Sequence, residues 1–166
     1  PDSFKGTLSS EQICEIAMEK VEKQFPGAET ACVPVADGGE GSVDAFITAL
    51  GGSKVTVKVK NPYFEDMDSY YGLINEGKTA VIEMASCAGL PLVEDRKDPR
   101  KTTTYGVGQL ILAAAESGVE KIIVGLGGSS TNDGGCGAAA AVGVKFYDRD
   151  GKEFVPTGGT TADICK

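Results

Sequence analysis

A chain of 166 residues has the size of one domain or of parts of two. Its formal charge of −8, from 24 acidic and 16 basic side chains, argues against general affinity for nucleic acid or anionic membrane, and no apolar run approaches the ~20 residues of a membrane span. With no histidine and five scattered cysteines lacking a C-x-x-C pair, the chain excludes His-ligated metal, structural zinc and His-dependent nucleophile systems from its own residues.

What remains is a globular chain, 41% hydrophobic with a mean hydropathy of −0.08, able to bury a core. Odd, dispersed cysteines and the lack of a signal sequence lead us to expect a reducing, cytoplasmic setting. Any metal should be hard and oxygen-bound, Mg²⁺ before others. A start at Pro1 without methionine, and a stop at Lys166 just after the turn-like Pro156-Thr-Gly-Gly159, lead us to expect a piece of a longer protein.

Pro1-Asp-Ser-Phe-Lys-Gly6 reads as a loop that should follow a strand, and Lys5 is the cation among the small and acidic loop motifs. Ser9-Ser-Glu-Gln12 has the form of a capping box and predicts a helix to about Phe25. Ile13, Ile16, Ala17, Val21 and Phe25 would form its core face, and Pro26-Gly27 its end. Thr30 to Val35 predicts a short strand. The loop Ala36-Asp-Gly-Gly-Glu-Gly41 follows, then an amphipathic helix from Ser42 to Leu50 closed by Gly51-Gly52. Asp37 and Glu40 stand where backbone donors converge at a helix start, and capping accounts for only one of them.

From Ser53 the period becomes alternating. Lys54–Lys60, Asp68–Ile74 and Thr79–Met84 predict three strands of a β-meander, with Asn75-Glu-Gly-Lys78 as a hairpin turn. This change of architecture places a domain boundary near Gly51. Glu83, at the end of the third strand, reads as an edge carboxylate, with contact to a ligand as the alternative. Thr102-Thr-Thr-Tyr-Gly-Val-Gly108 leads into a helix from Gln109 to Glu116, the threonines capping it or donating to an anion. Val144 to Val155 predicts a hairpin.

The densest motif lies between these last two elements. Lys121-Ile-Ile-Val-Gly-Leu126 reads as a buried strand, Gly125-Leu-Gly-Gly-Ser-Ser-Thr-Asn-Asp-Gly-Gly135 as a glycine-rich loop, and Cys136-Gly-Ala-Ala-Ala-Ala141 as a tightly packed helix. Backbone N–H groups at such a helix start lack intrahelical partners and carry the positive end of the helix dipole. Glycines admit close approach, so an anion is a natural guest. Ser129, Ser130, Thr131 and Asn132 add short donors, and Asp133 a carboxylate able to hold a metal beside phosphates. The alternative is an ordinary turn capped by Asn132 or Asp133. Two strand–loop–helix sites, each with an acid among glycines, point to phosphate handling with Mg²⁺. The Walker pattern is absent, and Gly125-Leu-Gly127 fails the dinucleotide fingerprint because Ser130 stands at its third glycine.

Pro1–Gly6, Pro34-Val-Ala-Asp-Gly-Gly-Glu-Gly41, Gly77-Lys-Thr-Ala-Val-Ile-Glu-Met-Ala-Ser86, Thr103-Thr-Tyr-Gly-Val-Gly-Gln-Leu-Ile111 and Gly127-Gly-Ser-Ser-Thr-Asn-Asp-Gly-Gly135 together resemble, in order, the signature blocks of the bacterial glycerate kinase family that makes 2-phosphoglycerate. Ser130, often alanine in that family, is a minor departure. The resemblance implies two α/β domains with the site in the cleft between them. Residues 1–50 would be part of a split Rossmann-like parallel-sheet domain whose first strand is missing. Residues 51–166 would be part of an inserted mixed α/β domain with an antiparallel meander. It further implies ATP and Mg²⁺, D-glycerate as substrate, and the remainder of the same polypeptide as partner, a homo-oligomer being compatible and the piece alone inactive. Lys5, Asp37 and Asp133 become the catalytic candidates, Asp37 or Asp133 accepting the hydroxyl proton or holding the metal. Asp2, Ser3, Gly38, Gly39, Glu40, Gly127, Gly128, Ser129, Thr131 and Asn132 become candidates for binding substrate and phosphate. Which loop meets ATP stays open. The competing readings are a non-catalytic nucleotide- or anion-binding regulatory module and a phosphosugar isomerase.

Overall fold

The computed structural model describes Phe4 and residues 7–166. The capping box forms as the sequence predicts. Ser9 Oγ accepts the Gln12 N–H at 3.2 Å and Gln12 Oε1 accepts the Ser9 N–H at 2.9 Å, opening α1 (Ser10–Gln24). The expected core face of α1 is not covered. Cys14 is its one buried residue among those described, while Ile16, Val21 and Phe25 are exposed. Capping and periodicity act locally and suffice to form the helix, but burial needs a neighbour along that stripe.

The expected strand at 30–35 is likewise not formed. The segment joins no ladder, and Val33 and Val35 are exposed. A strand needs a hydrogen-bonded partner, and none of the described residues supplies one.

The centre of the fold is a four-stranded sheet in the order of its chain: β1 (Ser53–Lys60), β2 (Asp66–Ile74), β3 (Thr79–Glu83) and β4 (Lys121–Gly125). β1, β2 and β3 form the predicted antiparallel meander, and β4 joins β3 in parallel. The crossover between β3 and β4 contains α3 (Ala85–Ala88), a 3₁₀ segment Leu90–Arg96 and α4 (Tyr105–Glu116).

Each face of the sheet carries a helix. Alternation along β3 sends Ala80 and Ile82 to one face, with Leu110 and Ala114 of α4, and Val81 to the other, with Val43 of α2 (Ser42–Leu50). β3 is therefore buried on both sides. Gly72 of β2 has no side chain to hold α2 off, since a Cβ there would lie 2.9 Å from Val43 Cγ1. Although α2 precedes the boundary predicted near Gly51, it packs on β2 and β3.

α4 begins four residues before the expected Gln109, because Gly106 and Gly108 are contact residues rather than breakers. A Cβ on Gly106 would lie 2.0 Å from Lys60 O, and one on Gly108 would lie 2.3 Å from Ala138 O. This packing offsets the ~1 kcal/mol that each helical glycine costs. Ala138 belongs to α5 (Cys136–Ala141), and a hairpin of β5 (Phe146–Tyr147) and β6 (Glu153–Phe154) follows. No helix of the described residues is long and apolar enough to cross a membrane, and all five cysteines are free.

Candidate active site

Open α/β sheets bind ligands at the carboxyl ends of their parallel strands. Here those ends are Glu83 of β3 and Gly125 of β4, which pair with each other. Both glycine-rich loops meet at this point. Gly127 N–H donates to Gly38 O at 2.9 Å. The approach leaves no room for side chains: a Cβ on Gly125 would lie 2.4 Å from Gly38 O, and one on Gly127 would lie 2.6 Å from Gly39 N. The loop at 36–41 is thus seated across the end of β4.

Asp37 and Glu40 occupy different parts of this loop. Asp37 is exposed, and one carboxylate oxygen accepts the Gly39 N–H at 3.0 Å. Glu40 lines a cleft of about 330 Å³ shared with Glu11, Asp44, Ser9, Val35 and Tyr70. Three carboxylates on that wall make it unlike a phosphate pocket. Asp37 is not among its lining residues.

Asp133 is held inside the protein, with only 1% of its surface exposed. Oδ2 accepts the Thr104 N–H at 2.7 Å, Thr104 Oγ1 at 2.9 Å, the Gly137 N–H at 3.1 Å and Thr103 Oγ1 at 3.3 Å, while Oδ1 accepts the Gly135 N–H at 3.1 Å. The anion expected at the start of α5 is therefore this carboxylate. The amides of Gly135 and Gly137 bind it, and that of Ala138 donates to Thr104 Oγ1 at 2.9 Å. Of the two roles expected for the threonines, the structure shows donation to an anion: Thr104 stands at the N-cap of α4 without a side-chain capping bond, and the hydroxyls of Thr103 and Thr104 donate to the Asp133 carboxylate. Thr102 Oγ1 donates to Ser130 O at 2.9 Å, and the buried Ser130 binds Ala88 O through both its amide and its hydroxyl, each at 2.9 Å.

The rest of the central loop faces outward to differing degrees. Ser129 and Thr131 are half-buried, their hydroxyls 2.9 Å apart, whereas Gly128 and Asn132 are exposed. Among the described residues no hydrogen bond uses the amides of Gly38, Gly128 or Asn132. Asp2, Ser3 and Lys5 lie outside the described residues.

Glu83 is not the edge carboxylate expected from its place at a strand end. It is 1% exposed, accepting the Val43 N–H at 3.0 Å and the Tyr70 hydroxyl at 2.8 Å. Burial, then the charge of Glu83, raises the Tyr70 phenol above its ordinary range. Alternation along β3 was the available signal, since it places Glu83 on the same buried face as Val81.

Among the described residues no group of three or more Asp, Glu or Cys converges as a ligand set. Mg²⁺ carried on phosphates needs only one or two protein carboxylates. Asp37, exposed with one oxygen committed, suits that part. Asp133, with both oxygens taken by protein donors, does not.

The family model described as "Glycerate kinase family" matches residues 1–166. The chain is 43% identical over 166 residues to glycerate kinase of Bacillus subtilis (strain 168), covering 99% of this chain and 44% of that protein. It is 45% identical over 161 residues to glycerate 2-kinase of Escherichia coli (strain K12), covering 96% of this chain and 42% of that protein. A crystal structure of a Salmonella typhimurium LT2 protein assigned as glycerate kinase 2 superposes with a TM-score of 0.82 at 38% identity, covering all of this chain and 45% of that one. The chain spans less than half the length of these relatives, and over that span its fold is that of the Salmonella protein. It belongs to the glycerate kinase family.

Proposed function

We propose that this chain, within a polypeptide of its relatives' length, transfers the γ-phosphoryl group of ATP to the 2-hydroxyl of D-glycerate. The observation that carries the reading is the contact of the two glycine-rich loops, in which Gly127 donates to Gly38 at the ends of β3 and β4. Phosphoryl transfer needs positioning and charge neutralisation more than covalent help from the protein. The amides of Gly38, Gly128 and Asn132, with the hydroxyls of Ser129 and Thr131, would donate to anionic oxygens of the substrates. Gly39 and Gly127 would hold the two loops in register.

Asp37 would accept the glycerate hydroxyl proton or hold the cation through its second oxygen. Mg²⁺ arriving with ATP would supply neutralisation of the phosphate charge. Asp133 would act through the loop it shapes, its carboxylate being committed to protein donors. Lys5, beside Asp2 and Ser3, would neutralise transferring phosphate or the glycerate carboxylate. Residues 1–50 would belong to the split domain and 51–166 to the inserted one.

Full-length protein incubated with MgATP and D-glycerate is expected to release ADP and phosphoglycerate in equal amounts, with the phosphate at the 2-position by phosphorus NMR. ADP formed only with another acceptor would overturn the substrate. Nucleotide binding without ADP from any acceptor would favour the regulatory binding module.

A further inference from the structure

Glu83 stands where the two loops are joined, yet at 1% exposure it cannot touch a substrate. Its backbone pairs with Gly125, at the start of the central loop. Its carboxylate binds the N–H of Val43, the second residue of α2, and the hydroxyl of Tyr70 on β2. From Val43 the constraint passes backward along the chain. Ser42, next to it, binds Gly39 O through its amide at 3.2 Å and its hydroxyl at 2.8 Å, and Gly39 in turn donates to Asp37 at 3.0 Å. Glu83 therefore ties β3, whose end pairs with the strand that leads to one loop, to the helix that follows the other. A carboxylate facing the first turn of a helix is favoured by the helix dipole, and its bonds to N–H and O–H donors are charge-assisted.

Resting on the phosphoryl-transfer reading, we infer that Glu83, oriented by Tyr70, is a positioning residue that sets where Asp37 stands relative to the loop at 127–132. On this face of β3, Val81 packs with Val43 and Ile74 in an apolar cluster, so packing on this face does not of itself call for a carboxylate at the strand's end. An apolar side chain of similar size would fill the space while leaving Val43 N–H and the Tyr70 hydroxyl without their acceptor.

The test compares Glu83→Leu and Glu83→Gln with wild type in the full-length protein, by hydrogen exchange and by steady-state kinetics with MgATP and D-glycerate. Glu83→Leu is expected to speed exchange in peptides covering 36–45 and 124–132 by about tenfold, the scale of one lost buried hydrogen bond, without change across 105–116. It should lower kcat by at least about tenfold through displacement of Asp37, and Glu83→Gln, which keeps an acceptor, should recover to within about threefold of wild type. Loop exchange unchanged from wild type, exchange rising equally across 105–116, or Glu83→Gln as impaired as Glu83→Leu would overturn the proposal. Should Glu83→Leu not fold, Tyr70→Phe takes its place under the same two exchange outcomes. Because exchange is read without substrate, it decides the role of Glu83 even if wild type fails to phosphorylate glycerate.

Discussion

Asp133 shows how far one side chain can organise a loop. Its carboxylate gathers five donors from two turns, at Thr103–Thr104 and at Gly135–Gly137. Asp133→Ala would leave all five without this acceptor, four of them in a buried setting, and we expect a loss of about 3–5 kcal/mol in urea denaturation of the full-length protein. A loss below about 1 kcal/mol would mean the loop holds its shape without the carboxylate. Asp98 offers a contrast at the surface. The Arg100 guanidinium, bonded at 2.8 Å, lowers its carboxyl from the ordinary 3.8 to about 2. A pKa depressed by folding adds stability that is present above the unfolded value and lost as pH falls through the folded one. The difference in Tm between wild type and Asp98→Asn should therefore be constant above about pH 5 and close between about pH 4 and 2. A gap that persists at the acid end would contradict the pairing.

At the scale of elements, the site depends on two backbones meeting without side chains between them. Gly127→Ala would place a methyl 2.6 Å from Gly39 N and 2.8 Å from Gly39 Cα. Neither atom belongs to a flexible side chain, so the loops must separate. We expect kcat/KM for glycerate to fall by at least about tenfold, as misplacement on the ångström scale does. Gly118→Ala is the control: it has φ +86 but open space around it at the end of α4. It should cost about 1–2 kcal/mol in backbone strain and leave the rate unchanged. A Gly127→Ala enzyme that keeps the wild-type rate would show that the contact between the loops is dispensable.

The same scale explains what could be read from the sequence. The Ser9–Gln12 capping box, the alternation of β1 and the Asn75 turn are local signals, each complete within a few residues, and each is found in place. Glu83 bonding to Val43 forty residues away, and Thr104 bonding to Asp133 across twenty-nine, have no local signature. Gly106 and Gly108 fall in the lead-in before the expected helix because the backbones of Lys60 and Ala138, which require glycine there, lie far along the chain. The exposed stripe of α1 and the unpaired 30–35 segment are cases in which a correct apolar pattern has no described partner. The candidate loops themselves were legible because glycine and acid crowded together exceed what a turn needs. The inward direction of Asp133 was not.

For the whole molecule, the four-stranded sheet serves as a platform that delivers the end of β3, the end of β4 and the start of α2 to one place. Relatives more than twice as long share this span, which leaves the rest of their length available to complete a cleft. The account rests on Asp37 acting at the meeting of the loops, and glycerate-dependent ADP release by the full-length protein, wild type beside Asp37→Asn, tests it most directly. The account predicts turnover by wild type and a fall in kcat of about 10² or more in Asp37→Asn, with the thermal melt unchanged. Equal turnover by the two proteins would contradict it.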